Sequence, residues 1–383
     1  MRRIILSLFI AAAGAAFAQQ PVKIGVVAPF SGSAADYGKQ IEAGMKAWLK
    51  IHGDTVNGRK IEILVRDTTG PNPEIAKRLA QELVTRDNVD FLAGFGFTPE
   101  ALAAAPIATE AKKPMIVMNA ASSVVTTRSP YIARFSMTLP QVSAPMATWA
   151  ARNGIKKVYT LVADYAPGID SETAFKAAFT AAGGTVVDSV RVPLRNPDFA
   201  PFVQRIKDAH PEAVFMFVPS GEQGVAFMKA VEERGLQKEG IRIIATGDLT
   251  DDNVLPSMGD PVLGVITTHH YSAAHGSPEN QAFVAAFRQV SSFARPNFMG
   301  VAGFDGMAAI AEVVKKLGNN IDGDKAMEVL KGIRMMSPRG PISIDPATRD
   351  IVQTVYVRRV EKVKGELYNV EFDKFPDVKD PGK

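Results

Sequence analysis

The sequence has no cysteine among its 383 residues. Disulfides, thiolate nucleophiles, thiolate metal ligands and a lipid-bearing cysteine are all excluded, so an exported form of the chain is held by its core alone. The GxSxG elbow of hydrolases is missing, as is a GK[ST] phosphate loop, and the run GFGFTP lacks the third glycine of a dinucleotide fingerprint. Histidine is scarce, and three of the five fall in THHYSAAH as His269, His270 and His275. Adjacent strand residues point to opposite faces and the HExxH spacing is absent, so a hinge strand and loop explains them better than a metal site. The acidic trio Asp248, Asp251 and Asp252 lacks the spacing, glycine and glutamate of a calcium loop. No catalytic residue, metal or cofactor is expected. Charge bias is missing too: 44 basic and 40 acidic residues give +4, or about +2 once Arg2 and Arg3 are set aside. That balance argues against nucleic acid or an anionic membrane as partner.

Long apolar runs are also few. IILSLFIAAAG follows Arg2 and Arg3 and is shorter than the about 20 residues that span a bilayer. Ala16-Phe17-Ala18 before Gln19 has the small-x-small form of a cleavage site, so residues 1–18 read as a secretory signal and the mature chain as periplasmic.

Strand-like runs and helical patterns then alternate. VKIGVVA is followed by a helix over 36–51, in which Ile41, Met45, Trp48 and Leu49 share a face. IEILVRD, a helix over 72–85, VDFLAG, a helix over 99–111, MIVM and YIARFSM complete a first α/β series. A second starts after Leu139-Pro140: KKVYTLVAD, a helix over 169–182, TVVDSVRVP, a helix over 199–209, AVFMFVP, a helix over 223–234, IRIIATG and GVITTHH. Helices return over 278–290, 298–317 and 323–333, before the strands PISI, IVQTVYVRRV and LYNVEF. Apolar strands alternating with helices predict parallel sheets covered on both faces, here as two lobes. Hinges are expected at 139–142, 270–272 and 337–340.

Two loops stand out, FLAGFGFTPE (91–100) and MIVMNAASS (115–123). Each follows a strand and breaks into small and polar residues where a helix can begin. Ligands of doubly wound sheets bind beyond such strand ends, where free N–H groups attract anions. Gly94 and Gly96 allow close backbone approach, and Thr98 with Ala120, Ala121, Ser122 and Ser123 offers N–H and hydroxyl groups. Capped strand-helix turns alone would explain either loop. Two together point to a site for a ligand carboxylate. Alternation puts Phe95 and Phe97 on one face, so both should share one fate.

The run VKIGVVAPFSGSAADYGKQIEAGMKAWLK, then VRDTTGPNPEIAKRLAQELV, both loops and LVADYAPGIDSETAF resemble the leucine/isoleucine/valine-type periplasmic binding proteins, the receptors of ATP-driven importers. The resemblance covers essentially the whole mature chain. It implies an α/β type I periplasmic binding fold: two doubly wound parallel-sheet lobes joined by three crossovers, with lobe 1 at 19–140 plus 272–336 and lobe 2 at 141–271 plus 337–383. It also implies a monomer that closes around a small ligand and meets a membrane permease. By position, the carboxylate-holding loops match Phe97-Thr98 and Ala120 to Ser122, with Tyr37 closing one side. The second lobe's aromatic loop matches 164–169, where Gly168 stands in for the usual aromatic and Tyr165 is placed to substitute for it. Ser220 stands where amino-acid binders place a tyrosine. The acidic partner of a ligand amine falls at Gly247 or Asp248. If Gly247 faces the pocket an ammonium has no counter-charge, and burying one unpaired is costly. These departures, with Phe95, Gly96 and Phe97 as wall, favour an aromatic or hydrophobic carboxylate over a branched-chain amino acid. An exported hydrolase built on His269 and His270, or a receptor feeding a sensor, are the rivals.

Overall fold

A computed structural model describes residues 19–383; the expected signal over 1–18 lies outside them. The apolar runs become strands and the 3.6-periodic ones helices, in the order β1 (Val22–Ala28), α1 (Ala35–His52), β2 (Thr55–Val56), β3 (Arg59–Asp67), α2 (Pro73–Thr85), β4 (Phe91–Gly94), α3 (Thr98–Glu110), β5 (Met115–Val117) and β6 (Ile132–Arg134). They build a six-stranded sheet of order β2-β3-β1-β4-β5-β6, parallel except for the β2–β3 hairpin. From β1 the chain moves first to one side, to β3, and then to the other, to β4 and β5. Right-handed crossovers therefore put α1 on one face and α2 and α3 on the other. This reversal makes a switch point between β1 and β4.

The second unit runs α4 (Leu139–Arg152), β7 (Lys157–Ala163), α5 (Ala166–Ala181), β8 (Thr185–Val192), α6 (Ala200–Asp208), β9 (Ala213–Phe217), α7 (Glu222–Arg234), β10 (Arg242–Thr246) and β11 (Ile266–His269). Then follow α8 (Pro278–Val290), α9 (Phe298–Leu317), α10 (Gly323–Lys331), β12 (Arg334–Ser337), β13 (Gly340–Ile344), β14 (Ile351–Val363) and β15 (Glu366–Val378). The second sheet has the order β12-β13-β14-β11-β10-β9-β7-β8, with β15 also on β14. Strands β7 to β11 run parallel, whereas β14 joins β11 antiparallel. Here too the order reverses, between β7 and β9. Helices α8 and α9 pack back on α1, so the chain crosses between sheets three times: over 135–138, 270–277 and 332–333. Two expected hinges move accordingly. Residues 139–142 lie inside α4, and 337–340 form the β12–β13 hairpin within the second sheet.

Helix α4 was not foreseen. Its start is fixed by a reciprocal cap: the Thr138 hydroxyl accepts from the Gln141 N–H, and the Gln141 carboxamide accepts from the Thr138 N–H. The crossovers are stapled by Arg339, which is 1% exposed and donates to the carbonyls of Phe135 and Ser136, to Gln353 and to Asp305 of α9. No described helix is long and apolar enough to cross a membrane.

Candidate functional site

The two switch points face one another. Loops after β1 and β4 of the first sheet meet loops after β7 and β9 of the second, and between them lies a small inner pocket of about 20 Å³. The loop after β5 contributes Asn119, Ala120 and Ala121, the first crossover Met137 and Leu139, and the loop after β10 Asp248. A larger outer chamber of about 470 Å³ adjoins it, sharing Tyr37, Phe97 and Pro219. The inner volume admits about one water molecule, so anything ring-sized enters only when the lobes part.

The first-lobe wall is built from backbone. Gly94 and Phe95 adopt positive φ, 97° and 65°, which ends β4 abruptly and turns the chain into α3. Glu100, fully buried, accepts from the Phe97 N–H at 3.0 Å and fixes the helix entry. Burial pushes its carboxyl up to about 7. Most N–H groups of the two loops are then engaged: Ala120 donates to the Phe95 carbonyl, Ser122 to the Thr98 hydroxyl, and Ser123 to Asp170. Those of Thr98, Asn119 and Ala121 have no acceptor among the described residues, and the Thr98 hydroxyl keeps its own hydrogen to give. The free N–H groups of Thr98 and Ala121 and the Thr98 hydroxyl therefore line the pocket at the start of α3, where the helix dipole also favours an anion.

Aromatic rings make the remaining walls. Tyr37 stacks on Phe97 with ring centroids 5.0 Å apart, and Tyr165 stacks on Phe217 at 6.1 Å. Burial drives both tyrosines well above their usual range, so both are neutral hydroxyls. Asp248 supplies the one carboxylate of the pocket wall. One of its oxygens accepts from the Thr246 hydroxyl at 2.8 Å. Burial, reinforced by Asp251, raises it to about 7.

Contacts between the lobes surround this pocket. The Tyr37 hydroxyl donates to the Ser220 carbonyl at 3.1 Å, Asn253 to Asp36 at 2.7 Å, and Asn297 to Asp251 at 2.8 Å. On the other rim the Asp170 carboxylate accepts from the Ser122 hydroxyl at 2.5 Å and from the Ser123 N–H at 3.1 Å.

Of the twelve expected residues, the pocket brings together Tyr37, Gly96, Phe97, Thr98, Ala120, Ala121, Tyr165 and Asp248. Four fall elsewhere. Phe95 is fully buried away from the pocket, because its left-handed backbone breaks the strand alternation that would have paired it with Phe97. Ser122 is engaged by Asp170. Gly168 packs within α5 against β7, where an added Cβ would sit 1.9 Å from the Ala163 carbonyl oxygen. Ser220 lines the outer chamber, its hydroxyl donating to Asp251. Between Gly247 and Asp248 the geometry decides for Asp248: Gly247 packs on Arg358 and His269, and no helix begins at LTDDN for Asp248 to cap. Asn119, Met137, Leu139, Pro167, Phe217 and Pro219 were missed.

His269 and His270 do not diverge, since β11 ends at His269. Their rings lie 4.5 Å apart, both fully buried against Phe298, and burial drives both pKa values well below the usual range. His275 pairs with Glu371 at 2.7 Å. No group of residues able to hold a metal occurs among those described.

A small pocket clasped between two α/β lobes, lined by neutral hydroxyls, aromatic rings and helix-start donors, is the arrangement of a solute receptor. Comparison with known proteins gives the same class. Residues 21–366 match the periplasmic binding protein family. A Leu/Ile/Val-binding protein homolog 6 of Brucella melitensis biotype 1 is 46% identical over 98% of this chain and 97% of its own. Among solved structures, an ABC-transporter solute-binding protein of Rhodopseudomonas palustris BisB5 in complex with 3,4-dihydroxybenzoic acid is 56% identical, with a TM-score of 0.91 over 94% of this chain and 99% of that one. Another, from Rhodopseudomonas palustris HaA2 in complex with p-hydroxybenzoic acid, is 44% identical, with a TM-score of 0.93 over 94% and 99%. The chain belongs to the periplasmic binding protein family, as an ABC-transporter solute-binding protein of the type I two-lobed α/β fold.

Proposed function

We propose that this receptor captures a small aromatic carboxylate of the benzoate type and presents it, in the closed form, to the membrane permease of its importer. The observation that carries the reading is the set of three free donors on Thr98 and Ala121, facing a pocket walled by Tyr37, Phe97, Tyr165 and Phe217. A carboxylate docks on those donors, and the rings of both lobes close over the apolar remainder. The ligand thereby favours the closed state by its contacts to both lobes. The hydroxybenzoates held by the two Rhodopseudomonas relatives support this class. The proposal includes a monomer in the periplasm, lobes divided at the crossovers over 135–138, 270–277 and 332–333, and ligand capture without catalysis.

A second reading, a hydrophobic amino acid, is favoured by one feature: Asp248 faces the pocket and could balance an ammonium. The name of the Brucella relatives points the same way. Isothermal titration of the mature protein with benzoate, 4-hydroxybenzoate, 3,4-dihydroxybenzoate, phenylalanine and leucine separates the two. Binding of the benzoates and not of the amino acids is expected. The opposite pattern would make Asp248 an amine partner and refute the aromatic reading.

A further inference from the structure

Asn119 sits between the two loops that form the first-lobe wall, directly before Ala120, and lines the inner pocket. It is 8% exposed. Its Nδ2 donates to the Gly96 carbonyl at 2.7 Å, which ties the loop after β5 to the loop after β4. The partner is a carbonyl, to which the amide nitrogen can donate and the amide oxygen cannot, so the orientation of the carboxamide is fixed by its surroundings. That leaves Oδ1 as a buried acceptor with no donor among the described residues. Protein interiors seldom leave a carboxamide oxygen unpaired, and one that borders a ligand pocket marks where a donor belongs.

Neighbouring groups do not supply that donor. The Ser122 hydroxyl is turned to Asp170, the Tyr37 hydroxyl to the Ser220 carbonyl and the Thr246 hydroxyl to Asp248, and neither the Thr98 nor the Tyr165 hydroxyl of the same pocket bonds to Oδ1. A bare benzoate could not supply it either, because its ring carries only C–H groups and its carboxylate only acceptors. A ring hydroxyl could. Asp248 offers a second acceptor from the opposite lobe, so the pocket has hydrogen-bond acceptors on both walls.

We propose that Asn119 is a specificity-determining residue whose Oδ1 accepts a hydrogen bond from a hydroxyl of the bound aromatic acid, so that the receptor prefers hydroxylated benzoates to benzoate. This rests on the aromatic reading above and narrows it. A site built to pair a polar ligand group rejects the analogue lacking that group, because its own acceptor is left unmet.

The test is a ratio of affinities, which a loss of loop rigidity alone would not move. Dissociation constants for benzoate, 3-hydroxybenzoate, 4-hydroxybenzoate and 3,4-dihydroxybenzoate are measured on the wild type, Asn119→Leu and the milder Asn119→Ser. The wild type should bind its best hydroxylated acid at least tenfold more tightly than benzoate. Asn119→Leu should erase about tenfold of that preference, over and above any loss that the broken loop tie imposes on all four acids alike. Asn119→Ser, whose hydroxyl can still accept, should retain part of it. Equal losses across all four acids in both variants would make Asn119 a loop tie only and overturn the proposal, as would an unchanged ratio. Binding of leucine with no benzoate bound at all would instead refute the aromatic reading itself.

Discussion

Asp170 offers the sharpest perturbation of lobe closure. It stands in the first turns of α5 in the second lobe, and its carboxylate is held by the Ser122 hydroxyl and the Ser123 N–H of the first. The loop that looked, by its small residues, like a seat for a ligand anion thus holds an anion of the protein itself. Charge-assisted hydrogen bonds contribute about 1.5 to 3 kcal/mol each, which bounds the pair near 6 kcal/mol. Asp170 is half-buried and water replaces it when the lobes part, so a net of about 2 kcal/mol is the reasonable figure. Because the contact joins the lobes, its loss falls on the open–closed equilibrium and not on folding. Asp170→Ala should weaken ligand binding about 30-fold, since 1.4 kcal/mol is tenfold, with a melting temperature changed by only a few degrees. Asp170→Asn, which keeps an acceptor oxygen, should lose about fivefold. Ser122→Ala added to Asp170→Ala should cost little more, because both act through one contact. Titration calorimetry gives the affinities and small-angle scattering the compaction of the free protein. Affinity within twofold of wild type for Asp170→Ala would refute the reasoning.

Other outcomes follow from the same geometry. Thr98→Val removes the hydroxyl but keeps the backbone N–H, and should weaken carboxylate binding by roughly ten- to hundredfold without unfolding the protein, as calorimetry and thermal melts would register. Folding raises the Asp248 carboxyl from 3.8 to about 7. The folded state therefore holds that proton more tightly than the unfolded chain. Stability from this group is full below about pH 4 and is lost as pH rises through 7, by about 4 kcal/mol at most. Asp248→Asn should flatten that part of the unfolding profile, and should raise stability at pH 8. Asp305 is 1% exposed and lies 2.7 Å from the equally buried Arg339 at the crossovers, so Asp305→Ala should destabilise the fold by about 3 to 5 kcal/mol in urea unfolding.

Much of the architecture could be read from local pattern. The strand-helix alternation names both sheets, whereas the reversal of strand order that makes the cleft is set by the fold. Helix α4 escaped because Leu139-Pro140 read as the break between the two series; Thr138 followed three residues on by Gln141 was the signal that could have found it. At the site, type and loop were legible but partners were not. Thr98 and Ala121 could be seen as donors, whereas the engagement of Ser122 depends on Asp170, 48 positions away in sequence and on the other lobe. Phe95 and Phe97 parted because one left-handed residue overrides alternation, which no residue pattern around Gly94 announces. Asn119 lay in plain view within MIVMNAASS, and only the fold shows which of its atoms is paired.

In the proposed complex the ligand carboxylate docks at the start of α3, between the two switch points. A crystal structure of the mature protein with 4-hydroxybenzoate tests it directly. Carboxylate oxygens are expected within hydrogen-bonding distance of the Thr98 and Ala121 N–H groups, with the ring between Phe97 and Phe217. A ligand seated in the outer chamber, or one whose carboxylate lies away from both N–H groups, would contradict it.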